Sequence, residues 1–439
     1  MKKKLLPALI VTGLIILVVI IMGITALINK YTPTKKTEDL KEYFNISSDD
    51  EVALIVNNEL SDYKAKIIDK KIYVDYKFVH DSLNSRFYWD ANENVLLYTT
   101  ASDIISAAAD SNSYSVTKQT NDFGYPIVKA TSDSALIALD YVKQYSNITF
   151  KSYDDPARIV ITSKWDEIDS ATVSKSTQVR VKGGIKSPIL KEVKKDDKIT
   201  ILDSGDKWDK VATEDGVIGY IKRKALSESK KTKLTNPDYE EETFTHIKKD
   251  KDICLAWNQV TSQSANSKVP QVISSTKGIN VMSPTWFYLN DNNGNLADIA
   301  SKDYVSYCHS QGIEVWGLFS NLENTDVDAA YVLTHTSTRT TLINQIMSAA
   351  FNYELDGVNI DFENITEAAY GDSYIEFIRE LSIKCHNNGI SLSVDVTVPA
   401  SFNKFFNRSD MAKFADYIVI MGYDEHYAGS PEAGSVASL

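Results

Sequence analysis

The residues best suited to catalysis lie in one stretch of eight, residues 356–363. Apolar residues occupy every second position of this stretch, and this period of two predicts a β-strand with one apolar and one polar face. The polar face carries Asn359, Asp361 and Glu363. Two neighbouring carboxyl groups raise the pKa of one of them, so that this group can stay protonated near neutral pH and act as a general acid. A hydrogen-bonded ion network inside a core is the alternative interpretation.

The C-terminal part of the chain has a pattern that can position this strand. Predicted strands alternate with predicted helices from Ile253 onwards, which favours a parallel sheet. Functional residues at the C-terminal ends of such strands are typical of a (β/α)8 TIM barrel. Residues 251–439 provide only about six of the eight strand–helix units, so we expect an α/β barrel that is incomplete and continues beyond this sequence. The predicted strands are Ile253–Trp257, Ile279–Ser283, Glu314–Ser320, Gly357–Glu363, Ser391–Val398 and Tyr417–Tyr423.

The acidic stretch resembles the active-site strand of glycoside hydrolase family 18, the chitinases and their relatives, whose pattern is Asp-Gly-x-Asp-x-Asp-x-Glu. The sequence matches this pattern at Asp356, Gly357, Asp361 and Glu363. It departs at Asn359, where Asp is commoner, and this departure resembles the branch that degrades bacterial cell wall and spore cortex. A second segment, residues 421–424, has the sequence Met-Gly-Tyr-Asp and resembles the family's Met-x-Tyr-Asp on the sixth strand.

The resemblance implies a substrate-assisted retaining mechanism, in which the substrate's own acetamido group is the nucleophile. Glu363 would be the general acid, Asp361 would orient the acetamido group, and Tyr423 would donate its hydroxyl to the acetamido oxygen. Four residues would support these catalytic residues, with the first two tuning Asp361 through hydrogen bonds: Asp356, Asn359, Met421 and Asp424. Three aromatic residues at predicted strand ends are candidates for stacking on sugars, although a core position is the better interpretation of each: Trp257, Trp286 and Phe287. No metal or cofactor is implied, because the carboxylates have no partnering histidine cluster.

The N-terminus carries an apolar run, residues 5–28, that is long enough to cross a bilayer. Lys2, Lys3 and Lys4 precede it, which favours a cytoplasmic N-terminus and an exported remainder. A cleaved signal peptide is the alternative, but its apolar region is usually only about 7–15 residues long. We therefore expect a single-pass transmembrane anchor in the cell membrane, with the following domains on the cell-wall side. The net charge of −12 argues against nucleic acid as a partner.

Two small domains are predicted between the anchor and the barrel. Residues 38–165 mix short strands with two predicted helices, Ile104–Ala109 and Ala135–Tyr145, and resemble the α+β domain at the N-terminus of copper amine oxidases. Residues 171–227 contain short strands separated by turn residues, which favours a small all-β barrel. They resemble bacterial Src-homology-3-like (SH3) domains, which commonly contact peptidoglycan. Residues 228–250 read as a solvated linker.

These features together predict a multidomain, membrane-anchored extracellular glycosidase. Its expected substrates are N-acetylglucosamine polymers, with peptidoglycan favoured over chitin because of the anchor and the SH3-like domain. The alternative function is a non-catalytic protein that binds or scaffolds cell-wall glycans. The set formed by Asp361, Glu363 and Tyr423 argues against that alternative, because a lectin does not require a general acid.

Overall fold

The helices of the chain are seen in a computed structural model that describes residues 2–363, 365, 368–403, 405–423 and 425–437. In this part of the chain the α-helices are α1 Lys2–Tyr31, α2 Leu40–Tyr43, α3 Tyr76–Phe78, α4 Leu139–Tyr145, α5 Val269–Ser274, α6 Lys302–Ser310, α7 Ala329–Thr334, α8 Thr336–Tyr353, α9 Ala368–His386 and α10 Arg408–Phe414.

The strands of the same residues fall into two groups. The N-terminal group is β1 Glu51–Val56, β2 Glu59–Ile68, β3 Lys71–Asp75, β4 Phe87–Asp90, β5 Val95–Thr99, β6 Ile104–Ala108, β7 Ser113–Val116, β8 Gln119–Asp122, β9 Val128–Ala130, β10 Ala135–Ala138, β11 Thr149–Tyr153, β12 Arg158–Thr162, β13 Glu167–Thr172, β14 Thr177–Arg180, β15 Ile189–Val193, β16 Lys198–Asp203, β17 Trp208–Thr213, β18 Ile218–Lys222 and β19 Lys230–Lys233. The C-terminal group is β20 Leu255–Asn258, β21 Val281–Leu289, β22 Leu296–Asp298, β23 Glu314–Ser320, β24 Gly357–Asp361, β25 Ser391–Thr397 and β26 Tyr417–Met421.

The predicted apolar N-terminal segment is helical in the structure. Helix α1 includes Ile10–Tyr31, in which the most apolar 18 consecutive residues have a mean hydropathy of 2.9 and are all unburied. The 22 residues of Ile10–Tyr31 would extend about 33 Å, which is enough to cross the hydrocarbon core of a bilayer. A signal sequence near an N-terminus has the same properties, so the helix agrees with either expectation.

The chain packs into two compact units, of which the first comprises Met1–Asp75 and Leu139–Glu240. One sheet of this unit has the strand order β11-β12-β1-β2-β3, and a second has the order β15-β14-β18-β17-β16-β13-β19. A single apolar core includes Phe44 and Ile55 together with Val179, Val211 and Ile221. Strand β19 pairs with β13, so part of the predicted linker is a strand at a sheet edge.

The second unit comprises Tyr76–Ala138 and Glu241–Leu439. Its main sheet is parallel, and six strands lie side by side in chain order: β20, β21, β23, β24, β25 and β26. All six predicted strands are found, with ends shifted by a few residues. Helices α6 to α10 occur between these strands, and their apolar faces share one core with the sheet. Residues 76–138, which belong to the predicted 38–165 domain, lie in the second compact unit, while the rest of that domain lies in the first. The predicted domain boundaries stay predictions.

An antiparallel sheet of strands β4 to β8 belongs to the second unit. It contacts helix α9, where the Thr99 hydroxyl donates a hydrogen bond of 2.9 Å to Glu376. The hydroxyls of Tyr88 and Ser373 also lie 2.8 Å apart. Both contacts are buried, so this sheet is packed against the helices that flank the parallel sheet.

Two predicted helices before residue 150 needed correction. The segment predicted as helix Ile104–Ala109 is strand β6, in which Ile105 and Ala107 are buried while Ile104 and Ser106 are partly exposed. This burial has the period of a strand, and β6 pairs with both β5 and β7. The segment predicted as helix Ala135–Tyr145 begins as strand β10 and becomes helix α4 only at Leu139. Pairing between strands thus overrides a local pattern that suits either structure.

Gly357 fits the start of strand β24 because no side chain could be accommodated there. A Cβ atom at this position would lie 2.6 Å from Cδ1 and Cγ of Trp316, which is fully buried. We expect Gly357→Ala to destabilise the second unit by about 1–3 kcal/mol, the usual cost of overpacking a core. Denaturant unfolding would measure this loss. Gly184→Ala is the control, because a Cβ there meets no atom within 4 Å. It should change the free energy of unfolding by less than about 0.5 kcal/mol.

Candidate active site

Strand β24 lies between β23 and β25 in the parallel sheet, so both of its edges are paired. The apolar side chains of Val358 and Ile360 are fully buried in the core. On the opposite face Asn359 is also fully buried, and Asp361 is half-buried. Glu363 follows the strand and is exposed. The predicted alternation is therefore confirmed, and the polar face leads from the interior to the surface at the C-terminal end of the strand.

Asp361 lies where burial and negative charge both oppose its ionisation. Its burial, and then the nearby carboxylates of Glu363 and Glu323, raise its pKa to about 7. One carboxyl oxygen, Oδ1, is buried and has no hydrogen-bond partner among the described residues. Asp361 can consequently hold or release a proton close to neutral pH, as a carboxyl group involved in acid–base chemistry must.

Asn359 is held by two hydrogen bonds to strand β25 and, among the described residues, makes none to Asp361, where a hydrogen bond was predicted. Its Nδ2 donates to Oδ2 of Asp395 at 2.6 Å, and the Ser393 hydroxyl donates to its Oδ1 at 2.5 Å. Burial and the charge of Asp361 raise the pKa of Asp395 to about 8. The sequence did not identify Asp395 as a site residue. The signal available was its position on the polar face of β25, beside the polar face of β24.

The backbone next to Glu363 is fixed, whereas its carboxylate is presented at the surface. The Glu363 N–H donates a hydrogen bond of 3.0 Å to Oδ1 of Asn321, a nearly buried residue that follows β23. The Glu363 carbonyl accepts another of 2.8 Å from the Ile365 N–H. Asn321 was also missed by sequence reasoning, because a single asparagine after a strand carries no distinctive pattern. This hydrogen bond fixes the backbone from which the exposed Glu363 side chain extends.

Two exposed aromatic rings lie together at the same end of the sheet. Trp257, near the end of β20, is 40% exposed, and Tyr423, after β26, is 44% exposed. Their ring centroids are 6.3 Å apart in an edge-to-face arrangement. The Tyr423 hydroxyl donates to the sulfur of Met421 at 3.1 Å, and the Trp257 indole lies beside the Asp395 carboxyl and favours its ionised form. These residues thus form a rim around the acidic centre, and Asp424 lies outside the described residues.

Three of the predicted site residues are not brought to this rim. Asp356 precedes β24, and its Oδ2 accepts hydrogen bonds of 2.8 Å from the Val315 N–H and the His309 ring. It lies five residues before Asp361, about 16 Å along a strand, so it does not hydrogen-bond to Asp361 as predicted. Trp286 and Phe287 are buried in the core and present no ring face to a sugar.

The combination of an exposed carboxylate, a buried carboxyl of raised pKa and two exposed aromatic rings can support carbohydrate chemistry. Glu363 can exchange protons with a bound molecule, and Asp361 can accept or donate a hydrogen bond beside it. Exposed tryptophan and tyrosine rings offer flat apolar faces with a polar tip. Among the described residues this is the place where the predicted catalytic side chains meet.

Comparison with known proteins identifies the family of this region. The profile described as Glycosyl hydrolases family 18 matches residues 317–439, which include β24 and the segment after β26. The uncharacterized glycosylase YvbX of Bacillus subtilis is 26% identical over 162 residues, covering 34% of this chain and 46% of that protein. The glycosylase YdhD of the same organism is 33% identical over 112 residues, covering 25% of this chain and 26% of YdhD.

Solved structures give similar matches over part of the chain. The spore cortex-lytic enzyme SleL of Bacillus megaterium is 17% identical, with a TM-score of 0.35, over 42% of this chain and 43% of SleL. The chain spans less than half the length of the two curated relatives. The C-terminal part of this chain is a glycosyl hydrolase family 18 domain.

Proposed function

We propose that this protein hydrolyses glycans on the reducing side of N-acetylglucosamine, with Glu363 as the general acid. The observation that carries the proposal is the pairing at the end of β24 of an exposed Glu363 with Asp361, whose pKa is raised to about 7. The two curated relatives are both named glycosylases, which supports the same reaction class. Peptidoglycan is the favoured substrate, and chitin oligomers are the second choice.

The proposed reaction uses the acetamido group of the substrate as nucleophile. Glu363 donates its proton to the departing glycosidic oxygen while the acetamido carbonyl oxygen forms a bond to the anomeric carbon. Asp361 accepts a hydrogen bond from the acetamido N–H and stabilises the cyclic cation, and the Tyr423 hydroxyl donates to the acetamido oxygen. Water then attacks the anomeric carbon and gives a proton to Glu363, which restores the acid. The anomeric configuration is retained, because the same carbon is attacked twice.

The N-acetyl requirement tests this mechanism. The protein is expected to cleave chitin oligomers or peptidoglycan glycan strands that are fully acetylated, and to leave the same chains uncut after removal of their N-acetyl groups. Proton NMR of the first product formed should show the β anomer. Cleavage of deacetylated chains, or an α anomer as the first product, would contradict a substrate-assisted mechanism.

The architecture proposed for the second unit is a (β/α)8 barrel. Six parallel strands lie beside one another in chain order, with helices between them, and this arrangement supports the proposal. In addition, α1 is proposed to anchor the protein with its N-terminus in the cytoplasm, because three lysines precede the apolar run. The catalytic domain would then face the cell wall.

The SH3-like region is proposed to bind the cell wall through a cavity beside Trp208. This cavity has a volume of about 550 Å³. The cavity is positively charged, although the chain has a net charge of −12. Its charged lining residues are four cations and one anion: Lys207, Lys222, Arg223, Lys224 and Asp206. The ammonium of Lys222 is 5.6 Å from the centroid of the Trp208 ring. Carboxylates of wall peptides carry the complementary charge.

Removal of the Trp208 ring tests this binding role. Trp208→Ala is expected to weaken the association with purified sacculi by about 10-fold, or about 1.4 kcal/mol, since the ring and its cation are both involved. The measurement is co-sedimentation of the full chain, carrying Glu363→Gln so that the sacculi stay intact. Lys195→Ala, an exposed lysine outside the cavity, is the matched control. Equal binding by the two variants would exclude the cavity as the wall contact.

The same cavity supports a second candidate function, in which the protein binds cell-wall glycans without cleaving them. Under this alternative, the Trp208 variant loses binding and the Glu363 variant behaves like the unmodified chain in every assay. The raised pKa of Asp361 beside Glu363 favours the enzyme, because binding alone does not require a carboxyl group that titrates near neutral pH.

A further inference from the structure

We infer that Asp395 is a positioning residue for the proposed reaction, forming with Asp361 a carboxyl pair that shares a proton and is braced by Asn359. The inference rests on the proposed function for its catalytic consequence, but the pair itself is a property of the folded chain. No family motif quoted above contains Asp395. Its assignment comes from the contacts between strands β24 and β25.

The register of the two strands places Asp361 and Asp395 next to each other. Asn359 is paired with Ser393 and Ile360 with Val394, so the next step along both strands brings Asp361 beside Asp395. Neighbouring strands are about 4.8 Å apart. The hydrogen bond from Asn359 to Asp395 shows that the Asp395 side chain points to the polar face, which also carries Asp361.

Both carboxyl groups have an oxygen that is available for a shared proton. Oδ1 of Asp361 and Oδ1 of Asp395 are buried, and each has no hydrogen-bond partner within the described residues. Oδ2 of Asp395 is occupied by the Asn359 amide. An unpaired buried carboxylate oxygen is costly, and a proton held between two such oxygens removes that cost from both.

The charges around the pair prevent both groups from ionising together. Glu363 and Glu323 act on Asp361, while Asp361 and Glu363 act on Asp395, and all of these interactions disfavour a second negative charge. Tyr374, from helix α9, is buried nearby, and its pKa is raised by burial and by both aspartates. The hydrogen bond from Asn359 and the nearby Trp257 indole favour the ionised form of Asp395, but burial outweighs them.

The pair gives Asp361 a way to change its protonation state without exchanging a proton with water. When the acetamido N–H of the substrate arrives, Asp361 must accept a hydrogen bond, so its proton moves to Asp395. The pair then carries one proton and one negative charge, as it did before, and the charge has moved to Asp361. Asn359 holds Asp395 in place during this transfer, and it stays neutral throughout.

The test is a titration of the aspartate carboxyl groups by carbon-13 NMR in the full chain, without substrate. The unmodified protein is expected to show two coupled transitions near neutral pH, and Asp395→Asn should show one. Because the Trp257 indole lies beside the Asp395 carboxyl, its N–H resonance should follow the titration in the unmodified protein and lose this pH dependence in the variant. Asp303→Asn, an exposed aspartate on α6, is the control and should keep both transitions.

Stability supplies an independent measurement. An acid with a raised pKa binds more protons in the folded state than in the unfolded state between pH of about 4 and 8, so its contribution to stability decreases as pH rises through that range. Asp395→Asn should therefore flatten this decrease relative to the unmodified chain. If Asp395→Asn does not fold, Asp361→Asn serves instead, and the remaining Asp395 should titrate at a lower pH than it does in the pair.

The activity of Asp395→Asn separates positioning from a structural role. Hydrolysis is expected to fall roughly 10- to 100-fold in kcat, with a smaller change in KM and an altered pH profile, because Asp361 loses its proton partner. Two unchanged transitions in the variant overturn the inference, and so does a loss of activity without a change in the titration. If the unmodified chain hydrolyses no glycan, the proposed function fails, while the titration still decides whether the pair exists.

Discussion

Replacing Glu363 by glutamine is expected to reduce hydrolysis roughly 10²- to 10⁴-fold while leaving the fold and glycan binding intact. The loss has this size because glutamine has nearly the shape of glutamate but no proton to give to the leaving oxygen. Glu363 is exposed and follows strand β24, so the change removes no core contact. Initial rates on acetylated glycan, together with the unfolding midpoint, measure the two parts of this prediction.

A matched substitution shows whether the effect belongs to the site. Glu354, the C-cap of helix α8, is also exposed and lies before the start of β24, at the opposite end from the rim. Glu354→Gln changes the net charge in the same way and is expected to keep full activity. Retention of most activity by Glu363→Gln would remove Glu363 from the role of general acid.

The largest effect on stability is expected at Arg339, in the middle of the second unit. Its side chain is fully buried, and Nε donates to Glu380 at 2.8 Å while Nη1 donates to the Leu333 carbonyl at 2.6 Å. The guanidinium lies 5.0 Å from the centroid of the Tyr88 ring. Arg339→Met leaves the buried carboxylate of Glu380 without its charged partner and should cost about 3–5 kcal/mol of unfolding free energy. Denaturant unfolding measures this cost.

Two further variants show that the cost comes from the unpaired charge. The double change Arg339→Met with Glu380→Leu removes both charges and is expected to recover most of the lost stability, since an apolar pair of similar volume can replace a buried ion pair. Lys302→Met, an exposed lysine on α6, should change stability by less than about 0.5 kcal/mol. A loss below about 1 kcal/mol for Arg339→Met alone would show that leaving the buried Glu380 carboxylate unpaired does not destabilise the fold as predicted.

The strands of the parallel sheet could be predicted because each has a strong local signal. The alternation in residues 356–363 fixed which side chains of β24 face the core, and Val358, Ile360 and Asn359 lie as expected. Glu314–Ser320 has the predicted bounds. Such signals depend only on the spacing of apolar residues within one strand, so they are readable without knowledge of the partners.

The contacts between strands could not be predicted in the same way. Asp395 lies 36 positions from Asn359 in the sequence, and only the register of β24 against β25 brings the two side chains together. Asp356 belongs to the motif, but it precedes the strand and is therefore far from the site. Its carboxylate contacts the Val315 N–H and the His309 ring instead. Trp286 and Phe287 were placed at the end of a strand that continues to Leu289, so they lie within it.

The packing of strands β4 to β8 against helices of the second unit was also beyond sequence reasoning. Thr99 and Glu376, which share a buried hydrogen bond, are separated by 277 positions. Neither residue belongs to a recognisable motif, and a threonine in an apolar strand is compatible with an exposed position. Such long-range pairing is decided by shape and burial in the folded chain, where an unpaired polar group would be costly.

The proposed cleavage on the reducing side of N-acetylglucosamine can be tested through the products released from peptidoglycan. Purified sacculi are digested with the full-length protein, and the muropeptides are reduced and identified by mass spectrometry, with Glu363→Gln as the control. Products that end in reduced N-acetylglucosamine are expected from the unmodified protein and not from the variant. Products that end in reduced N-acetylmuramic acid, or sacculi that are bound but release nothing, would contradict the proposed cleavage.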